Sequence, residues 1–208
     1  MRVRVRFRGP GPQVNGLSAV PEGLWVCDQK DNKIYLVRDE DGSVVTSFDT
    51  PARNLSGIGW GLGSVWGASN VRPSAIYRFD PHTGHCLQDI QLPDADRGGV
   101  HGIEIIDGAL WVTRPGMLTL QKLDPETGGL LHEIPFPGKR SHGVYWDGEA
   151  IVCNDTNDCA IYRLDPADGK VLETWHVDGF TPHGLTRDAQ GRIWTCDAAT
   201  NEVGLVEP

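Results

Sequence analysis

The chain has 208 residues, and its 28 acidic residues outnumber its 19 basic ones, giving a formal net charge of −9. This excess of negative charge disfavours nucleic acids and anionic membranes as partners. No stretch is long and apolar enough to span a bilayer, and the N-terminus lacks the hydrophobic core of a signal peptide, so we expect a cytoplasmic protein. The five cysteines are odd in number and have no short disulfide-type spacing, which argues against a secreted disulfide scaffold.

The first fifteen residues begin with a strict alternation of apolar and basic side chains. Val3, Val5 and Phe7 stand between arginines. A period of two predicts a β-strand. We interpret the arginines as its solvated face, with a basic arm for nucleic acid as the alternative.

From residue 16 onward, a phrase that opens with glycine occurs five times. An apolar pair follows about a dozen residues later, and then an alternating apolar segment such as 75–80 or 160–165. A turn phrase with Asp-Pro at its start and Gly at its end follows three of these segments. The opening glycines are Gly16, Gly57, Gly102, Gly143 and Gly184. Four short strands in about 40 residues, repeated along a chain, are typical of β-propeller blades.

We therefore predict an all-β fold, a five-bladed β-propeller with four-stranded antiparallel blades, in one domain over residues 1–208. The fifth repeat stops before its last strand, and the N-terminal strand has the matching pattern. Residues 1–15 are accordingly expected to complete the last blade and close the ring, which leaves no open edge. The predicted blades are 16–56, 57–101, 102–142, 143–183, and 184–208 with 1–15.

The residue before each opening glycine lies, in this fold, at one mouth of the central channel, because the innermost strand of each blade lines that channel. In chain order these residues are Asn15, Ser56, His101, His142 and His183. All five are polar, but three adjacent imidazoles exceed what a structural ring needs. They predict a functional site, with a hydrated plug of the channel as the alternative.

Two further sets of equivalent positions are expected near this mouth. One follows the second strand of each repeat and holds Asp28, Ser69, Arg114, Asn154 and Asp197. The other is the third residue after each channel-mouth position and holds Ser18, Gly59, Glu104, Tyr145 and Thr186. Together they would surround the imidazoles with groups for acid–base chemistry, although hydrogen bonding to loop backbone explains Asp28, Asn154 and Asp197 equally well. Cys27, Cys153 and Cys196 also occupy equivalent positions by this count, and we interpret them as small buried residues.

The segment 183–197, with its His-Gly-Leu phrase, a later glycine and then Ile-Trp-Thr, resembles the blade repeat of the virginiamycin B lyase (streptogramin B lyase) family. More loosely it is similar to the gluconolactonase and paraoxonase propellers. The resemblance implies a lyase in which His142 and His183 are the paired histidines and Asp197 is a carboxylate that helps to hold Mg²⁺. The chain departs from the family in having Thr181 where an acidic residue is expected, and five blades rather than seven.

The ligands themselves favour another metal. Three neutral imidazoles suit Zn²⁺, Fe²⁺, Cu²⁺ or Ni²⁺ better than Mg²⁺, which prefers oxygen ligands. The predicted ligands are His101, His142, His183 and Asp197, and Glu104 or Tyr145 would move a proton.

Without a metal, His142 or His183 would act directly as the base, and Arg114 would stabilise the developing oxyanion. Either way we expect a lyase or hydrolase acting on a small ester, lactone or amide, and a monomer or small homo-oligomer.

The alternative is a non-catalytic scaffold that binds a small ligand or peptide at a mouth formed by Trp60, Trp146, Arg72 and Arg114. The one long repeat step falls in the loop Pro93–Gly99 beside His101. This loop is either a lid over the pocket or an ordinary turn insertion.

Overall fold

A computed structural model of the chain describes residues 1–92 and 98–208, and the described residues form twenty β-strands and no helix. The strands are grouped into five four-stranded antiparallel sheets, which are the blades. Blade 1 contains β2 (Val14–Val20), β3 (Gly23–Asp28), β4 (Lys33–Val37) and β5 (Val44–Asp49). Blade 2 contains β6 (Leu55–Gly61), β7 (Ser64–Ser69), β8 (Ala75–Phe79) and β9 (Cys86–Gln91). Blade 3 contains β10 (Gly102–Ile106), β11 (Ala109–Arg114), β12 (Thr119–Leu123) and β13 (Leu130–Pro135).

Blade 4 contains β14 (Ser141–Trp146), β15 (Ile151–Asp155), β16 (Ala160–Leu164) and β17 (Val171–His176). Blade 5 contains β18 (Leu185–Arg187), β19 (Ile193–Asp197), β20 (Glu202–Glu207) and β1 (Arg2–Arg8). The inner strands β2, β6, β10, β14 and β18 contact one another in that order, and β18 contacts β2. The ring is closed, and the predicted five-bladed β-propeller is confirmed.

The last blade is completed from the other end of the chain, as the sequence predicts. Strand β1 pairs antiparallel with β20, with Val3 opposite Val206 and Arg8 opposite Glu202. The amino group of Met1 donates a hydrogen bond to the carbonyl oxygen of His176 at 2.6 Å. The four arginines of β1 are exposed, so they form the solvated face of an outer strand.

The opening glycines allow the inner strands to approach closely. A Cβ atom on Gly102 would collide with the carbonyl oxygen of His142, and one on Gly143 would collide with the amide nitrogen of Leu185. Only glycine fits where two backbones are this close. The repeated His-Gly phrase therefore places each histidine where neighbouring blades meet.

An apolar layer fills the channel just beyond the glycines. It consists of the residue after each opening glycine: Leu17, Ile58, Ile103, Val144 and Leu185. Each is at most 3% exposed and belongs to a different apolar cluster. Tryptophan side chains extend this packing between the blades, and Trp66 and Trp194 are fully buried. The channel is thus filled by packed side chains.

The Asp-Pro turn phrases form tight turns. The Asp80 carboxylate accepts hydrogen bonds from the amides of His82 and Thr83, and Gly84 has a φ of +70°. Glycine adopts this left-handed conformation without strain. The described residues include no helix that is long and apolar enough to cross a membrane.

Candidate functional site

The three histidines that precede opening glycines are in contact at one end of the channel, which we call the histidine mouth. The ring centroids of His101 and His142 are 4.6 Å apart, and those of His142 and His183 are 4.9 Å apart. Both pairs meet edge to face, a favourable geometry for aromatic rings. The repeat therefore brings these imidazoles together as predicted. The other two members of the set also meet, since Ser56 Oγ donates to Asn15 Oδ1 at 2.7 Å.

Several buried polar atoms of blades 3 and 4 around this mouth have no hydrogen-bond partner among the described residues. They are His101 Nδ1, both ring nitrogens of His142, Ser141 Oγ and Asn154 Oδ1. Each such atom costs about 1–3 kcal/mol when left unpaired. Buried polar groups are almost always satisfied in native proteins, so a cluster of exceptions indicates a place where something else binds.

Burial keeps the imidazoles neutral. It lowers the pKa of His101 to about 3 and the pKa of His142 well below its usual value. It also lowers the pKa of His183, although the carbonyl of Thr181 opposes this effect. The positive charge of Arg140 lowers all three pKa values further. At neutral pH the mouth thus has uncharged imidazoles beside one guanidinium.

His183 has a defined tautomer and is less buried than the other two histidines. Its Nδ1 lies 3.0 Å from the carbonyl oxygen of Thr181, which can only accept, and 3.4 Å from the amide nitrogen of Ala198. The shorter contact assigns the proton to Nδ1, which donates to Thr181. The lone pair is then on Nε2. A histidine fixed in this way is ready to accept a proton or to bind a metal ion.

The channel offers little room beneath the histidines. The cavity there has a volume of about 10 Å³, and the opening glycines and the apolar layer line it. This volume is about the minimum that a single water molecule requires. The cavity thus leaves no room for a larger ligand beneath the imidazoles.

Glu104 and Tyr145 do not lie with the histidines, contrary to the expectation from the repeat. Glu104 is three residues beyond His101, about 10 Å along an inner strand that rises about 3.3 Å per residue. Its carboxylate accepts a hydrogen bond from the amide of Trp146 in the neighbouring blade, and burial raises its pKa to about 8. Tyr145 packs in the apolar cluster that contains Leu185, and burial raises its pKa to about 12. Both side chains face the next blade, below the apolar layer.

Arg114 is buried at the end of β11, where it supports a loop. Its guanidinium donates to Gln121 Oε1 at 3.0 Å and to the carbonyl oxygen of Gly98 at 3.3 Å. Gln121 in turn donates to Glu133 Oε2 at 2.7 Å. These contacts link Arg114 to the outer strands of blade 3, and its role as an oxyanion donor stays a prediction.

Asp197 also binds loop backbone. Its Oδ2 accepts from the amide of Thr181 at 3.1 Å and its Oδ1 from the amide of Ala199 at 2.7 Å. Asp28 accepts amide hydrogen bonds from its own loops in the same manner. Both carboxylates thus make the hydrogen bonds to loop backbone that the sequence analysis gives as the alternative to a role in the site.

The equivalent residue in blade 4 is Asp155, not Asn154 as the repeat count implied. Ser18 of blade 1 and Tyr145 of blade 4 are equivalent, and they pair with Trp25 and Val152 respectively. Val152 is therefore the equivalent of Trp25, so each position in β15 lies one residue later than the sequence pattern indicates. The same correction removes Cys153 from the set that contains Cys27 and Cys196. Asp155 Oδ2 accepts from the amide of Arg140 at 2.9 Å, and Asn154 Nδ2 donates to the carbonyl oxygen of Pro182 at 2.6 Å.

The predicted metal ligands do not fit a metal ion as they stand. Within residues 1–92 and 98–208, no three or more His, Cys, Asp or Glu side chains are grouped so that they could hold one. The Asp197 oxygens accept from loop amides, and the charge of Arg140 opposes a second cation. A metal ion would require the imidazoles to turn away from their edge-to-face contacts.

The predicted binding mouth with two tryptophans is not one surface. Trp60 and Trp146 are at the far ends of β6 and β14, opposite the histidine mouth, and each packs partly against an apolar cluster. Trp60 and Trp25 line a cleft of about 530 Å³ between blades 1 and 2. The loop Pro93–Gly99, considered as a lid, lies largely outside the described residues.

Arg140 is a charged residue at this site that the sequence analysis missed. It stands two residues before His142, where the other four blades have Gln13, Asn54, Gly99 and Thr181. A charged residue at a position that is uncharged in the other blades was the available signal.

No protein-family profile matches the chain, and no curated protein matches its sequence. Solved structures do match. Glutaminyl cyclase from Myxococcus xanthus has a TM-score of 0.83 at 12% identity, covering 99% of this chain and 96% of that one. Virginiamycin B lyase from Staphylococcus aureus has a TM-score of 0.60 at 22% identity, covering 95% and 67% respectively. A streptogramin B lyase has a TM-score of 0.62 at 15% identity, covering 98% and 96%.

At these identities the similarity concerns the fold alone. It extends over nearly the whole chain in each case and confirms the resemblance to the streptogramin B lyase propellers at that level. The chain is thus a five-bladed β-propeller whose structural neighbours include a cyclase and lyases.

Proposed function

We propose that this chain is an enzyme whose active site is the histidine mouth, acting on a small molecule that contains an ester, lactone or amide carbonyl. The observation that carries the proposal is the contact among three neutral imidazoles, several of whose nitrogens have no hydrogen-bond partner within residues 1–92 and 98–208. Asn15 and Ser56 occupy the same position in the other blades and satisfy each other. The site is thus confined to one side of the ring.

His183 is the base in this proposal. Its Nδ1 proton is held by the carbonyl of Thr181, which leaves Nε2 to take a proton from a carbon beside the substrate carbonyl or from a water molecule. In the first case the bond between the neighbouring carbon and its leaving group breaks, the leaving group departs with the electron pair, and an unsaturated product forms. In the second case water adds to the carbonyl and the ester or amide is hydrolysed. His142 packs against His183 and holds its ring in place.

The similar structures support chemistry at a carbonyl. One is named as a glutaminyl cyclase and two as lyases of virginiamycin B or streptogramin B. Dependence on a metal ion held by His101, His142 and His183 stays a prediction, and no step above requires one.

The test compares turnover by the wild type, His183→Asn and His142→Ala on N-terminal glutaminyl peptides, streptogramin B and simple lactones. His132→Asn is the matched control, because His132 also contacts a backbone carbonyl at 3.0 Å but lies on an outer strand. We expect His183→Asn to lose at least about 100-fold in kcat, the usual contribution of a general base, and His132→Asn to lose nothing. Full activity in His183→Asn would overturn the proposal.

Two further measurements separate the versions of this chemistry. An unsaturated product without ¹⁸O from labelled water indicates elimination, whereas ¹⁸O in the product indicates hydrolysis. Elemental analysis of protein purified without an affinity tag tests for the metal. Ligand binding without turnover, unchanged in His183→Asn, would instead support a binding scaffold.

A further inference from the structure

We propose that Arg140 binds a carboxylate group of the substrate at the histidine mouth, so that the enzyme acts on singly charged carboxylic acids. This inference rests on the proposed function for the location of the site. It adds a substrate class that the histidines alone do not define.

The backbone of Arg140 is held in place just before β14. Asp155 Oδ2 accepts a hydrogen bond from its amide at 2.9 Å, and its carbonyl oxygen accepts one from the amide of Thr156 at 3.1 Å. Both Asp155 and Thr156 are buried. Arg140 is therefore fixed at its backbone while its side chain is exposed to solvent.

The guanidinium group of Arg140 makes no hydrogen bond or ion pair with any described residue. Its neighbour Lys139 differs, since Lys139 Nζ lies 2.6 Å from Asp158 Oδ1. Arg163 and Arg192 likewise pair with carboxylates at 2.6 Å. Arg140 thus has no counter-ion among the described residues, and its positive charge acts on the three imidazoles of the histidine mouth.

The atoms around it suit an anionic oxygen ligand. Ser141 Oγ and the ring nitrogens of His142 are buried and have no hydrogen-bond partner in the described part of the chain, and both side chains can donate a hydrogen bond. The two residues follow Arg140 directly in the chain. A carboxylate bound by the guanidinium would therefore lie next to residues that can donate to it.

The charge of the site favours a carboxylate over a phosphate. One guanidinium balances one negative charge, and its planar fork matches a carboxylate in a bidentate arrangement. The other donors are neutral at pH 7, so the second charge of a phosphate dianion would be left uncompensated next to buried groups.

The test uses sodium acetate as the probe and the imidazole ¹H–¹⁵N signals of labelled protein as the readout, at constant ionic strength made up with chloride. Arg140→Gln is the variant. Arg53→Gln is its matched control, because Arg53 is an exposed arginine that precedes the channel-mouth residue Ser56 in the loop of blade 2. We expect a saturable shift of the His142 and His183 signals in the wild type and in Arg53→Gln. In Arg140→Gln the acetate affinity should fall at least tenfold.

Absence of a saturable response, equal affinity in Arg140→Gln, or tighter binding of inorganic phosphate than of acetate would each overturn the carboxylate assignment. Dispersed amide spectra of Arg140→Gln would show that the variant is folded. The assay involves no turnover, so its failure is distinct from failure of the proposed function. If acetate binding does not depend on Arg140 while His183→Asn still abolishes activity, only the substrate class is wrong.

Discussion

The closure of the ring can be tested at a single side chain, Phe7. This residue is 9% exposed on β1, and its ring lies 6.3 Å from that of Trp194 in the same blade. It also packs against Gly42 of blade 1, where φ is +74° and a Cβ would collide with the Phe7 ring. Phe7 therefore joins the last blade to the first across the seam of the ring.

Phe7→Ala should lower the free energy of unfolding by about 3 kcal/mol. Burial of phenylalanine predicts about 3–5 kcal/mol, and we take the lower limit because an outer strand can relax into the cavity. For a chain of this length, the change corresponds to a decrease in Tm of about 6–12 °C. Val5→Ala on the same strand is the control, since Val5 is 45% exposed, and it should cost less than about 1 kcal/mol.

Urea unfolding followed by tryptophan fluorescence measures both variants. If the urea dependence of the unfolding free energy, the slope m, is the same in both variants and the wild type, a shift of the unfolding midpoint reports a change in stability. A loss of less than about 1 kcal/mol in Phe7→Ala, or equal losses in the two variants, would refute the view that Phe7 closes the ring.

Two further predictions concern buried carboxyl groups. Part of the Glu104 side chain is exposed, but its carboxyl group is out of solvent, and burial raises its pKa to about 8. The folded state then retains a proton that the unfolded state has lost, so stability falls as pH rises from about 4.5 to about 8 and levels off above that. Glu104→Gln should match the wild type at pH 4 and exceed it by more than about 1 kcal/mol at pH 8.5 in urea titrations; parallel pH profiles would contradict this. Asp155 accepts backbone hydrogen bonds on both carboxylate oxygens, from Arg140, Asn157 and Asp158 among others. Asp155→Asn should therefore cost about 2–3 kcal/mol in thermal unfolding, whereas Asp158→Asn, which removes a mostly exposed ion pair with Lys139, should cost at most about 1 kcal/mol. Equal effects would show that Asp155 is not a loop cap.

The fold was predictable because its determinants are local and repeated. Each opening glycine marks a place where backbones touch, and each Asp-Pro turn separates two strands. The alternation of residues 1–8 was enough to assign β1 to the last blade. These signals can be recognised without knowing which elements pack together, because each depends on local backbone geometry.

The register of blade 4 could not be read in this way. The apolar pairs Ala150–Ile151 and Ile151–Val152 both satisfy the pattern, and β15 has no tryptophan to mark the position. The register is set by pairing with β14, which is irregular between Ser141 and Val144. The sequence pattern therefore points to Asn154, whereas the residue equivalent to Asp28 in the structure is Asp155.

The site was predicted only as far as the backbone determines it. The position before each glycine follows from the repeat, so the contact among the histidines could be anticipated. Glu104 and Tyr145 could not be placed, because their directions depend on which neighbouring blade each inner strand faces. The repeat marks Arg140 as a charged residue at an otherwise uncharged position, but it does not show how far the long side chain reaches.

The pairing of β1 with β20 has a consequence for synthesis. Strand β1 is synthesised some 200 residues before its partner β20. Until then its apolar face has no sheet to join, and an unpaired strand of this kind can pair with another copy. The arginines that alternate along β1 carry like charges that repel such a copy. They therefore protect the strand during the interval before the ring closes.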